Sequence, residues 1–392
     1  MGGKIKEQLN CDILICGAGL AGLSLAYRAL KSGLWKGEEI IIADPVEHRT
    51  NDKTWSFWKK ADGEFDELIF KSWTSLVVFS NSGERIPLKT GPYSYNSIRS
   101  IDFYEHVLDY LRKQTNVQFL FEQIISLNTD DTSCISDTDI HTITSQYVFN
   151  SIYEKPRIAK TAQYFLQHFK GVVIESSEIS FNKDEAYLMD YRTGQEDGTT
   201  FFYTLPLSSN SLFIEYTLFS KSLLDHASYD QAISAYIRDV LKLKIYQVIH
   251  TEFGVIPMTD HHFTRTKGNI TNIGTVGGDT RGATGYTFTN VQKTVSRILH
   301  SWAVSKRPGP FKEAISGKHR LYDAILLNVL DAKEYPGDQL FCDLFKNASA
   351  DKIFSFLDAE TSISGDLQIV LSLKPLPFVK ALGIVIRSGI NL

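Results

Sequence analysis

Cysteine is scarce here. The four in 392 residues are Cys11, Cys16, Cys134 and Cys342. They form no CxxC pair and no cluster with histidine at ligand spacing, which argues against a disulfide framework and a structural zinc. Cys11 and Cys16 flank an apolar strand and read as small hydrophobes. No apolar run reaches the roughly 18 residues that a spanning helix needs. The N-terminal MGGKIKEQLN lacks the apolar core of a signal peptide. Lys6 stands where a myristoylation pattern wants Ser or Thr, so the expected compartment is the cytoplasm. Neither charge sign dominates: 41 Lys and Arg face 45 Asp and Glu, a net −4. That leaves no basic footprint for nucleic acid. Repeats and low-complexity linkers are also missing. What is present, 43% hydrophobic and 22% charged residues, is ordinary for a globular chain of roughly two to three domains.

The segment CDILICGAGLAGLSLAYRALKSG reads as a strand, a glycine turn and a helix, and EEIIIAD as a second strand ending at Asp44. Gly17, Gly19 and Gly22 of GAGLAG have GxGxxG spacing. The first permits a tight turn, the second lets backbone approach a pyrophosphate, and the third lets helix and strand pack closely. Gly17, Ala18, Gly19, Leu20, Ala21 and Gly22 therefore form a candidate phosphate cradle at a helix N-terminus. Asp44, about 20 residues further on, suits the ribose hydroxyls. The bland reading is a structural glycine turn with a solvated Asp44. Farther along, NIGTVGGDTRGATGYTF reads as a strand, a loop and a helix start. Many FAD proteins of this fold carry Gly-Asp near the end of such a late strand. Asp279 is then expected at a ribityl hydroxyl, with the helix near Gly285 aiming its positive end at the flavin. The alternative is a plain glycine loop.

Hairpins fall at 75–88 and 201–219, and residues 162–220 are mostly strand. Positions 101–114 read as a helix capped by Ser100, and 228–243 as an amphipathic helix. The expected fold class is α/β: an FAD-binding Rossmann-like domain of the glutathione-reductase type, an antiparallel β-sheet substrate domain and a helical C-terminal region. Its segments interleave, with FAD-binding pieces at 1–72, 101–160 and 251–300. Substrate-domain pieces fall at 73–100 and 161–250, and a helical region at 301–392. In LFIEYTLF, alternation puts Phe213, Glu215, Thr217 and Phe219 on one face, and Leu212, Ile214, Tyr216 and Leu218 on the other. In DKTWSFWKKADG, Trp55 and Phe57 share a face opposite Ser56 and Trp58.

Several of these stretches, in order, resemble the lycopene cyclase family of flavoproteins. DKTWSFW is similar to its His-Thr-Trp-Ser-Phe segment, LMDYR to Met-Asp-Trp/Phe-Arg, and FIEYT to Phe-Leu-Glu-Glu-Thr. EFGVIPM, ATGYTF and LKPLPFVKAL match further segments. Two departures stand out: Tyr216 replaces the usual second acid, and Arg281-Gly282-Ala283 replaces a segment that often contains His-Pro. The resemblance implies ring closure at the ends of lycopene or another linear carotene, most specifically β-rings. A proton adds, an internal alkene captures the cation, and a second proton leaves with no net redox change. It also implies reduced FAD, with NAD(P)H as electron donor.

Such chemistry needs a dry acid. Glu215, in an apolar row, suits it, because burial keeps a carboxyl protonated; the rival reading is an edge-strand Glu pointing to water. Asp190 either assists the acid, orients Arg192, or sits in a solvated turn. Trp55, Phe57, Phe213, Thr217 and Tyr286 are candidate substrate-channel residues. Aromatic faces attract cations, but Trp55 and Phe57 serve ordinary packing equally well. The C-terminal stretch from Leu367 onward, with Lys374, Lys380 and Arg387 and no acid, suits peripheral contact with an anionic membrane; core packing is the alternative. Two other functions remain open. One is an FAD monooxygenase, or a carotenoid or prenyl reductase, on the same fold. The other is a non-catalytic carotenoid-binding flavoprotein.

Overall fold

The computed structural model describes residues 6–130 and 132–388. The strand Glu7–Cys16 pairs in parallel with His141–Asn150 on one side and Ile40–Ala43 on the other. Val117–Leu120 and Ile270–Asn272 extend this parallel core outward. Its central residues are apolar on both faces, as a covered parallel sheet requires. Ile13 and Ile15 pack under the helices Leu20–Lys31, Ser100–Leu111 and Phe288–Ser305. Leu14 and Cys16 pack against Ile124, Leu127 and Cys134 on the opposite face. All four cysteines are free, and Cys16 and Cys134 are fully buried.

A second, seven-stranded sheet runs in the order Gln247–Thr259, Tyr164–Glu175, Ser211–Ser220, Thr199–Pro206, Glu185–Asp190, Ser75–Phe79, Arg85–Leu88. Its joints are antiparallel except that between Glu185–Asp190 and Ser75–Phe79, which is parallel. A small sheet of Thr54–Lys59, Ser94–Arg99 and Lys71–Trp73 interleaves in the chain with the strands Ser75–Phe79 and Arg85–Leu88. The strand Ser211–Ser220 is central, and alternation divides its side chains as expected. Phe213 and Phe219 join the large core shared with the C-terminal helices. Leu212, Ile214, Tyr216 and Leu218 pack under the helix His226–Asp239. The C-terminal region is helical: Gly317–Ala332, Gly337–Asn347, Ala350–Leu357, Ile363–Leu371 and Pro375–Ser388.

Ser100 does not cap its helix. Arg99 holds that position, while the buried Ser100 hydroxyl accepts the N–H groups of Asp52 and Lys53. It thus anchors the loop before the small sheet.

The glycine turn has the geometry its spacing implies. Gly17 has φ +98°, a conformation that strains other residues. A Cβ on Gly22 would lie 2.1 Å from the Gly17 carbonyl oxygen and 2.9 Å from Ile15, whereas a Cβ on Gly19 would meet nothing within 4 Å. Gly22→Ala should therefore cost about 1–3 kcal/mol through overpacking and lower the melting temperature by several degrees. Gly19→Ala should leave it nearly unchanged. Equal melting temperatures for the two variants would contradict this packing.

Candidate active site

A cavity of about 500 Å³ runs from the glycine turn to the second sheet. Gly19, Leu20 and Ala21 line one end, and Phe213, Glu215 and Glu252 line the other, with Trp55, Gly285, Tyr286 and Phe288 along its course. Two helix N-termini meet this space. The helix Leu20–Lys31 starts at Gly19, and the helix Phe288–Ser305 at Thr287. Neither has a side-chain cap or an acid in its first turn. Their positive ends are thus left for a ligand, which is the arrangement that holds phosphates and anionic rings. The open space before Gly19 is a cradle that a pyrophosphate fits. Asp44 lies just past Ile40–Ala43 and accepts the Ala18 N–H at 2.7 Å. It fixes the turn beside that cradle.

Asp279 is not where the motif put it. The strand Ile270–Asn272 ends well before it, and it is fully buried behind the cavity wall. Its oxygens accept from Arg265 at 2.8 Å, from the Gly274 N–H at 2.7 Å and from the Thr294 hydroxyl at 2.6 Å. With its acceptors engaged in this way, Asp279 braces the 274–278 turn from behind.

Glu215 is 8% exposed. Burial, and then the charge of Glu252, push its carboxyl from the ordinary 4.5 to about 8, opposed by the Thr217 hydroxyl. That hydroxyl donates to Oε1 at 2.7 Å. Thr217, fully buried, supports the acid without lining the cavity. Glu215 is therefore neutral near pH 7, and it faces a cavity.

Asp190 is not with it. A register irregularity between Tyr187 and Asp190 breaks the alternation, and Asp190 pairs with Phe202. Phe202 belongs to the core under the helix His226–Asp239. There Asp190 accepts from Tyr236 at 2.6 Å and from Arg192 Nε at 2.9 Å, so its role is to orient Arg192 on the far face. Tyr216 lies on that same far face, stacked on Phe202 at 4.8 Å. The missing second acid is thus a packing substitution away from the site.

The aromatic run divides. Trp55 lines the cavity, edge-on to Phe103 at 5.3 Å. Phe57 is core instead, stacked on Phe288 at 4.4 Å. Trp58 packs on Tyr286 at 4.2 Å and Phe354 at 4.9 Å. It walls a second, almost wholly apolar cavity of about 440 Å³ between the sheet and the C-terminal helices. Tyr203 and Tyr286 line both cavities, and Tyr203 pairs directly with Glu215 across the sheet. Glu252 and Tyr203 were not singled out in the sequence, although Glu252 stands in the quoted EFGVIPM and alternation groups it with Gly254 and Ile256. Among the described residues no cluster could hold a metal ion.

A nucleotide-type cavity on a parallel sheet, opening onto an antiparallel one, defines the flavoprotein fold of FAD-dependent monooxygenases and reductases. Solved structures agree. A flavoprotein/dehydrogenase from Cytophaga hutchinsonii superposes with a TM-score of 0.64 at 10% identity, over 96% of this chain and 99% of that one. A geranylgeranyl bacteriochlorophyll reductase-like protein from Thermoplasma acidophilum gives 0.61 at 12%, over 96% and 100%. A model of the lycopene cyclase protein family matches residues 12–382, and the chain belongs to that family. It is 28% identical to a chloroplastic neoxanthin synthase from Solanum tuberosum, over 70% of this chain and 57% of that protein. It is 25% identical to a chromoplastic capsanthin/capsorubin synthase from Citrus sinensis, over 64% and 52%. The chain thus spans little more than half the length of these relatives.

The raised carboxyl has a thermodynamic signature. A folded-state value of about 8 against an ordinary 4.5 means the native state holds a proton that the unfolded chain releases. The associated stability is full below the ordinary value and is lost as pH rises through about 8. Glu215→Gln removes this dependence, so its melting temperature should gain on wild type as pH rises over that window. A constant difference across the window would contradict a neutral Glu215.

Proposed function

We propose that this chain is a lycopene cyclase that forms β-rings from a linear carotene by proton-initiated closure, with no net redox change. One observation carries the reading: a buried carboxyl, raised above its ordinary range by burial, faces a cavity that reaches the phosphate cradle and is walled from an apolar cavity by two tyrosines. The polyene lies in the apolar cavity, its end group passing Tyr203 and Tyr286 to reach Glu215. Glu215 protonates the terminal double bond, and Trp55, Tyr203, Tyr286 and Phe213 exclude water and offer ring faces to the cation. Gly17, Gly19, Leu20 and Ala21 hold the pyrophosphate of FAD, with Asp44 at its ribose. Reduced FAD, when bound, supplies an electron-rich ring system, and NAD(P)H supplies its electrons.

In a lycopene-accumulating bacterium, wild type should convert the pigment to cyclic carotenes. Glu215→Gln should retain FAD and lose cyclisation by about 10²–10⁴-fold, the usual contribution of a positioned acid. Purified enzyme with prereduced FAD should turn over without oxygen. Near-wild-type pigment from Glu215→Gln would remove it as the donor, and an absolute need for oxygen would point to a monooxygenase.

Membrane contact is proposed through the mouth of the apolar cavity. Ile363, Leu367, Leu371 and Val379 line that cavity and are 56–75% exposed, while Ala381 and Val385 of the last helix are buried. No described helix is long and apolar enough to cross a membrane, so the contact is peripheral. Lys374 and Arg387 add attraction to anionic headgroups. Flotation with anionic liposomes should weaken as salt rises, and Leu371→Glu with Val379→Glu should abolish it. Unchanged flotation would place the contact elsewhere.

A further inference from the structure

Glu215 accounts for the first proton of a ring closure but not for the second. The strand Tyr164–Glu175 separates Ser211–Ser220 from Gln247–Thr259, and its Gly171 pairs with Glu215 on one side and Glu252 on the other. Directly paired residues project from the same face of a sheet, so both carboxyl groups face one cavity across a glycine. The glycine is needed. A Cβ there would lie 2.7 Å from the Phe213 ring and 3.1 Å from Glu252 Cγ, so the Glu252 stem leans over Gly171, and both side chains line the cavity.

The two acids have different surroundings. Glu215 has one neutral hydroxyl from Thr217. Glu252, 4% exposed, accepts the Thr54 hydroxyl at 2.7 Å, and His250 Nε2 lies 3.7 Å from the same oxygen. His250 is half-buried and contacts Asn51 Nδ2 at 3.3 Å. Glu252 thus has a hydrogen-bonded hydroxyl and a half-buried imidazole beside it, and the imidazole offers a proton taken up by Glu252 a way out of the cavity.

Resting on the cyclase reading above, we infer that Glu252 is the general base that removes the second proton and so fixes the ring type. The Glu215 O–H bond breaks as a C–H bond forms at the terminal alkene carbon. The internal alkene then closes the ring and leaves a cation on a ring carbon. Glu252 takes the proton from the adjacent ring carbon that bears the polyene, and that C–H electron pair becomes the ring double bond of a β end group. Glu215 ends ionised and Glu252 protonated. Glu252 then loses its proton to solvent through His250 and Glu215 takes one from solvent, which restores the pair.

The test is turnover of lycopene in D2O with FAD-loaded protein. Wild type should give β-rings carrying one deuterium each. Glu252→Gln should still protonate the alkene, so recovered lycopene should contain deuterium. Its β-ring formation should fall by 10²-fold or more, and residual product should shift to rings that lose the proton from the neighbouring methylene or methyl. Glu252→Asp, which keeps the carboxylate, should restore part of the β-ring yield. Glu215→Gln should show neither exchange nor product. Wild-type β-ring yield from Glu252→Gln, or loss of exchange along with product in both Glu252 variants while they retain FAD, would overturn the assignment. Absence of cyclisation by wild type would instead overturn the underlying reading.

Discussion

Everything at this site depends on keeping one carboxyl uncharged in a dry place. Moving a carboxylate out of water is costly, so a buried one holds its proton. Glu215 is held in this state by its position on a strand with hydrogen-bonded neighbours on both sides. One face of that strand packs against the helix His226–Asp239, and the other meets the cavities. The parallel sheet plays a different part: it delivers a glycine turn and an uncapped helix end to the far end of the same cavity, while a second uncapped helix end meets the cavity along its course.

Much of this was legible in the residues, where local geometry controls the outcome. GxGxxG spacing gives the turn directly, because Gly17 and Gly22 leave no room for another residue type. Strict alternation in LFIEYTLF placed Glu215 correctly, because a central strand without a bulge keeps its period. At Asp190 the residues left three roles open, and the pairing with Arg192 and the register slip beside it decide for the second. Alternation fell short at Phe57. Trp55 and Phe57 do share a face, but only Trp55 lies at the cavity rim, and strand alternation says nothing about distance along the strand from a cavity. Asp279 shows the limit of a motif: the Gly-Asp pair is present, but Arg265 and Thr294, remote in sequence, engage its carboxylate.

Glu252 was missed because a pair of acids is a property of pairing, not of spacing. Glu215 and Glu252 are brought together by an intervening strand whose glycine matches both. Gln247–Thr259 is the edge strand of its sheet, and its opposite face carries partly exposed residues such as Phe253 and Val255, so the segment reads as an ordinary edge strand. Tyr216 shows the converse. A departure that looked chemical lies on the packed face, where a tyrosine stacks well and an acid would be buried without need.

Catalysis by this site requires Glu215 to be a neutral acid at the pH where the protein works. Infrared difference spectroscopy of the FAD-loaded protein against Glu215→Gln tests it most directly. At neutral pH the difference should contain a protonated carboxylic C=O band that is absent from the variant and fades as pH rises through about 8. A difference spectrum showing only an ionised carboxylate at neutral pH would contradict it.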